Sequence, residues 1–320
     1  MGTLIGHVAP GFGFFIIGLW HLINNIKLHA GSPKSYISSP WFPTSRIKYL
    51  ELYSIMTACS ISISMELFIG PDRHQPLDPD GTIPSNHLHN FEHSNISLAF
   101  FMYAFFSILL DKLALPARYE LTNLLGAVAF GHQFLLFHLH SADHMGVEGQ
   151  YHWLLQIAIF ISLETTILGI NCPTSFLNSF VRSVSIVFQG VWFIVMGFML
   201  WTPSLIPKGC FMNIEEGHKV VRCHGEEALH RAKSLVNIQF SWYVIGVMFF
   251  SLACYVVMAK LYSEKVVEYQ PISKFMLEEE ENDDRFRDVE EQKKGNDRKK
   301  EEPMSFLQIG KPITSMDIER

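Results

Sequence analysis

The chain has 320 residues, of which 48% are hydrophobic and 26 are Phe, and it carries a formal net charge of −6. Its apolar residues fall in long blocks rather than in amphipathic stripes, which argues against a large water-soluble domain and makes a lipid bilayer the expected surroundings. The acidic balance gives no footing for a nucleic-acid partner.

Seven blocks, 4–24, 49–70, 87–110, 119–142, 150–171, 180–202 and 236–262, are long enough to span, since a helix needs about 20 mostly apolar residues to cross a hydrocarbon core of about 30 Å. The expected fold is all-α: a polytopic membrane bundle of seven transmembrane helices over 1–262, followed by a disordered, acidic cytosolic tail over 263–320. No Lys or Arg precedes Lys27, so the first helix lacks the basic leader of a cleaved signal peptide and is expected to stay. Gly2 does not signal myristoylation, because position 6 is Gly6 where Ser or Thr is wanted.

In chain order, the first helix places His7, Gly11, Phe14, Gly18 and His21 on one face, and its two glycines allow a neighbouring helix to come close. The first loop holds Pro33, Pro40 and Pro43, with Trp41 expected at the membrane interface. Helix 2 aligns Glu51, Ser54, Ala58, Ser62 and Glu66, a small and acidic stripe that should face the bundle. Helix 3 opens with His89 and His93 one turn apart, extended by Asn90 and Ser97. Helix 4 ends in His132, His138, His140, Asp143 and His144, of which His138 points away from the rest. Helix 5 presents His152 and Gln156, while helices 6 and 7 offer Gln189, Trp192, Gln239 and Trp242 but no histidine.

Orientation follows from basic residues in the short loops. Lys27, Lys34, Arg46 and Lys48 lie in the first, Lys112 and Arg118 in the third and Arg182 in the fifth, which puts the N-terminus outside or in the lumen and the C-terminus in the cytosol. The sixth loop, 203–235, opposes this with five basic residues, partly balanced by Glu215, Glu216, Glu226 and Glu227. That loop also holds Cys210 and Cys223, for which a disulfide and two free thiols are both open. Cys59, Cys172 and Cys254 read as small hydrophobes. In the tail, Tyr269-Gln-Pro-Ile272 has the form of a tyrosine sorting signal for adaptors on the cytosolic side.

Counting crossings brings His7, Glu66, His89, Glu92, His93, His138, His140, Asp143, His144, His152 and Gln156 to one leaflet. Imidazoles at one depth can hold zinc, iron or haem, so His7, His89, His93, His140, His144 and His152 are the candidate ligands, with Glu66, Glu92, Asp143 and Gln156 as groups that orient them. Two other readings use the same residues: hydrogen-bonding glue between helices, and a proton relay or pH sensor.

The stretch His132-Gln-Phe-Leu-Leu-Phe-His-Leu-His-Ser-Ala-Asp-His144, with His152-Trp-Leu-Leu, Gly6-His-Val-Ala-Pro-Gly-Phe-Gly-Phe-Phe15 and His89-Asn-Phe-Glu-His93, resembles the transmembrane protein 45 family over residues 1–262. The resemblance implies a seven-helix endomembrane protein, often of the Golgi and linked to stress or pathogen responses, with no established catalytic residue; the acidic tail is similar to that of the plant branch. Ser141 departs from the His-x-His-Gly of that family. Ceramidase-type zinc hydrolases carry a His pair on the last helix, and membrane desaturases carry His-x-x-His-His boxes. Neither pattern occurs here. The sequence therefore points first to a non-enzymatic multi-pass protein, and second to a metal- or haem-dependent membrane enzyme or electron carrier.

Overall fold

The structure, a computed structural model, describes residues 3–70, 74–143, 145–215 and 218–268. The tail with Tyr269–Ile272 lies outside them, as does the part of the sixth loop at 216–217.

Seven long helices occupy the predicted blocks: α1 (Leu4–Gly31), α2 (Leu50–Ser64, closing in a π turn at Met65–Ile69), α3 (Leu88–Lys112), α4 (Arg118–Asp143), α5 (Gly146–Asn171), α6 (Phe176–Trp201) and α7 (Glu226–Glu268). The Thr3 hydroxyl caps α1 by accepting from the Gly6 amide, and Ser175 does the same for α6 at Asn178. Helix α1 runs seven residues past its expected end and α7 starts ten before, because Asn24–Gly31 and Glu226–Leu235 are polar but helix-compatible and an apolar count does not see them.

Among the described residues six helices are long and apolar enough to cross a membrane, and α4 falls short by composition. Its outward face is nonetheless apolar: Leu121, Leu124, Val128, Leu135 and Leu139 are exposed at steps of three, four or seven residues. The polar residues that lower its average, such as Thr122, Asn123 and Gln133, point inward and are buried.

Helices α1 and α6 pack most closely, along glycines. A Cβ on Gly18 would stand 2.5 Å from the Val187 amide nitrogen, and one on Gly11 2.8 Å from Phe193 Cβ. The buried face of α1, with His7, Gly11, Gly18 and His21, is the one the spacing marked. Between α1, α5 and α6 lies the main core, around Trp192, Tyr151, Leu155, Ile159 and Met196. A smaller cluster joins the first loop to α2 and α3 through Trp41, Leu52, Ala104 and Ile108. Trp41 is 5% exposed, packed in the cluster with Leu52. On α2, Glu51, Ser62 and Glu66 meet neighbours, but Ser54 and Ala58 are exposed; Ser54 satisfies its own hydroxyl on the Leu50 carbonyl at 2.8 Å.

The sixth loop folds into an antiparallel hairpin, β1 (Cys210–Glu215) with β2 (His218–Cys223), in which Cys210 faces Cys223 and the two form a disulfide. Val221 of β2 is 3% exposed and joins the main core. Arg222 donates to Glu215 and holds its carboxyl below the usual carboxylate range.

Candidate functional site

Two buried polar centres stand at opposite ends of the bundle. The first contains the described part of the histidine set. His7, in the first turns of α1, places its ring 5.7 Å from that of His152 on α5 and stacks at 4.5 Å on Trp201 from the end of α6. In both histidines Nδ1 donates to a carbonyl one turn earlier, His7 to Thr3 at 2.9 Å and His152 to Glu148 at 3.0 Å. That bond fixes the tautomer and leaves Nε2 as the ring's acceptor.

Around them the histidines join helices. His93 meets Glu66 at 3.3 Å, and Asn90 donates to the other oxygen of that carboxylate at 2.8 Å, so α3 is tied to the π turn of α2. His138 bonds Gln156 at 3.1 Å and ties α4 to α5. His89 pairs with Glu92 on its own helix at 3.4 Å. No group of three or more His, Cys, Asp or Glu among the described residues is arranged to hold a metal ion. The side chains of His140, Asp143 and His144 lie outside the described residues.

Above this centre sits the hairpin, with Arg222 within electrostatic range of the buried Glu148. Tyr151 donates to Gln239 at 2.7 Å and links α5 to α7.

The second centre was not singled out from the sequence. Glu51, 5% exposed at the start of α2, accepts from His21 Nε2 at 2.8 Å, Trp20 Nε1 at 3.1 Å and the Phe42 amide at 2.8 Å. Nearby, Arg182 of α6 is 4% exposed and donates to the Asn123 side chain and the Ser39 carbonyl, both at 3.1 Å. Asn25 donates to Ser183 and accepts from Tyr36, closing the set between α1, α6 and the first loop. Counting crossings would have found it, because the end of helix 1 and the starts of helices 2, 4 and 6 share one leaflet.

At the membrane boundary beside it, Asp111 accepts from Lys48 and Tyr49, and the bond to Asp111 raises the Lys48 ammonium above its ordinary value. The exposed Lys48 also lies over the Tyr49 ring.

A bundle of long helices whose outer faces are mostly apolar is the build of a multi-pass integral membrane protein. Residues 119–256, from the start of α4 to within α7, match a family of unknown function (DUF716).

Proposed function

We propose that the chain is a multi-pass protein of the endomembrane system, of the transmembrane protein 45 type, in which the histidine-rich centre holds one end of the bundle together. In this reading its role is structural, in trafficking or stress response, and it performs no chemistry. The observation that carries it is that the described histidines make contacts between helices: His93 with Glu66, His138 with Gln156, and His7 against Trp201. Contacts of this kind, from one helix to the next, suit hydrogen-bonding glue.

Seven crossings, with the N-terminus lumenal and the C-terminus cytosolic, complete the proposal. Supporting them are the apolar outer stripe of α4, the basic residues of the first, third and fifth loops, and the Cys210–Cys223 disulfide, which suits an oxidising lumen. The tail with Tyr269–Ile272 would then meet cytosolic sorting adaptors. Protease treatment of sealed vesicles tests the topology: a C-terminal tag should be cleaved and the hairpin protected. A protected tag overturns the orientation.

The metal or haem reading keeps one specific support, the shared tautomer of His7 and His152. A ligating histidine donates its other ring nitrogen to a carbonyl in the same way, and the sequence offers His140, His144 and Asp143 as further ligands or orienting groups. Elemental analysis and a visible spectrum of purified protein decide between the two. Stoichiometric metal or a Soret band overturns the structural reading.

A further inference from the structure

Helix α5 carries buried polar groups down its whole inward face. Glu148, His152, Gln156, Ser162 and Thr166 are each at most 5% exposed. At 1.5 Å per residue the line from first to last rises about 27 Å, close to the full hydrocarbon thickness of about 30 Å. Packing alone does not call for such a line, since a buried membrane helix can be apolar all round.

The helices opposite add to it. Ser162 meets Ser185 of α6 at 2.8 Å and accepts from Gln189 Nε2 at 2.6 Å, and Arg182 lies beyond them toward the second centre. On α4, Gln133 is 1% exposed, and neither its amide nitrogen nor its oxygen has a hydrogen-bond partner; Gln189 Oε1, on a side chain with no exposure, also lacks one. Both glutamines flank the same turns of α5. Gln189 bonds Ser162, while the α4 residues on either side of Gln133 meet Phe160 and Leu163: the Phe134 and Phe160 rings are 5.8 Å apart, and a Cβ on Gly131 would be 3.7 Å from Leu163. A donor and two acceptors therefore stand unpartnered beside Ser162, about 21 Å along the polar line, where lipid can satisfy none of them. Buried polar groups of this kind are ordinarily completed by water.

We propose that α4, α5 and α6 enclose a hydrated polar path across the membrane and that the protein passes protons along it. Titratable groups stand at its two ends: Glu148, His152 and His7 at one, His21 and Glu51 at the other. The middle holds amides and hydroxyls, which hand a proton on only through water between them. Each proton entering at one end is matched by one leaving at the other, so the net reaction is transfer down the gradient and no co-reactant is needed. A buried arginine can bar cations from a pore, and Glu51, within electrostatic range of Arg182, offsets that charge here. This activity goes beyond the structural role proposed above and does not depend on metal at the histidines.

The test is the full-length protein in liposomes loaded with a pH-sensitive dye, with a potassium gradient and valinomycin supplying the drive. Proton entry should exceed that of protein-free vesicles, and Gln133→Leu should slow it by about tenfold, the rate equivalent of roughly one lost hydrogen bond. Ser162→Ala on the facing helix provides a second variant should Gln133→Leu fail to fold, as judged by helix content and elution as a single species. Proton entry no faster than in protein-free vesicles, entry unaffected by the folded variants, or osmotic water flow without proton entry would each overturn the proposal.

Discussion

Replacing Glu51 should be among the most damaging single changes in the bundle. Its carboxylate, with a side chain 2% exposed, accepts from Trp20, His21 and the Phe42 amide, so Glu51→Ala strands three donors where no solvent reaches. Three neutral interhelical bonds at the membrane average of about 0.6 kcal/mol each set a floor near 2 kcal/mol. Breaking a buried charged contact by removing one partner costs about 3–5 kcal/mol and sets the ceiling. Glu51→Gln keeps the shape and one acceptor but turns its own donors toward one of the others, and should fall about halfway, near 2 kcal/mol. Reversible unfolding in mixed micelles, followed by circular dichroism, gives the difference. A cycle with His21→Ala should show a coupling above about 0.5 kcal/mol, because the two side chains share a bond. An Ala variant within about 0.5 kcal/mol of the parent, the range of ordinary surface changes, would refute the assignment of Glu51 as the node of the second centre.

Other expectations are as definite. Gly18→Leu should destabilise by about 3 kcal/mol or more, since the atoms it meets are backbone of α6 and cannot yield, whereas Gly13→Leu, with open space around its Cβ position, should be nearly neutral in the same assay. Cys210→Ser should cost about 3 kcal/mol, the chain-entropy value for a loop of roughly this length, and without reductant Cys210 and Cys223 should resist alkylation while the exposed Cys172 is modified. Because Arg222 depresses the Glu215 carboxyl, the ion pair supports the hairpin in full above the ordinary carboxylate pKa of about 4.3 and loses that support as pH falls through the lower folded value. Hydrogen exchange over 210–223 should therefore be flat from neutral pH to about 5, after correction for intrinsic rates, and should rise only below about 4; loosening between pH 7 and 5 would contradict the pairing.

The length and order of the helices were legible because apolar blocks of bilayer length have few other uses. The glycine face of α1 was legible because helical spacing alone puts His7, Gly11, Gly18 and His21 together. Spacing does not say what that face meets, and the two histidines, on one face but about 21 Å apart along the axis, serve different centres. The Glu51 node was not legible from helical spacing, because its partners come from the far end of α1 and a loop amide. The hairpin was not legible because neither Cys210-Phe-Met-Asn-Ile-Glu215 nor His218-Lys-Val-Val-Arg-Cys223 alternates polar and apolar residues throughout. The packing of Trp41 with Leu52 was not legible, because it depends on a turn the sequence does not specify.

The close seating of α1 on α6 has a consequence for biogenesis. The first helix leaves the ribosome with its glycine face lacking the surface it fits, and that surface arrives roughly 170 residues later. At about 5–20 residues per second the wait is about 10–35 seconds. Through that interval His21 can already meet Glu51 of α2, but the glycine face and His7 lack the surface of α6 they pack on, so an insertion factor or the intervening helices have to cover them until α6 arrives. Variants that weaken the seam should then show their first defect in membrane assembly, as turnover of nascent chains, before any loss in the finished protein is measurable.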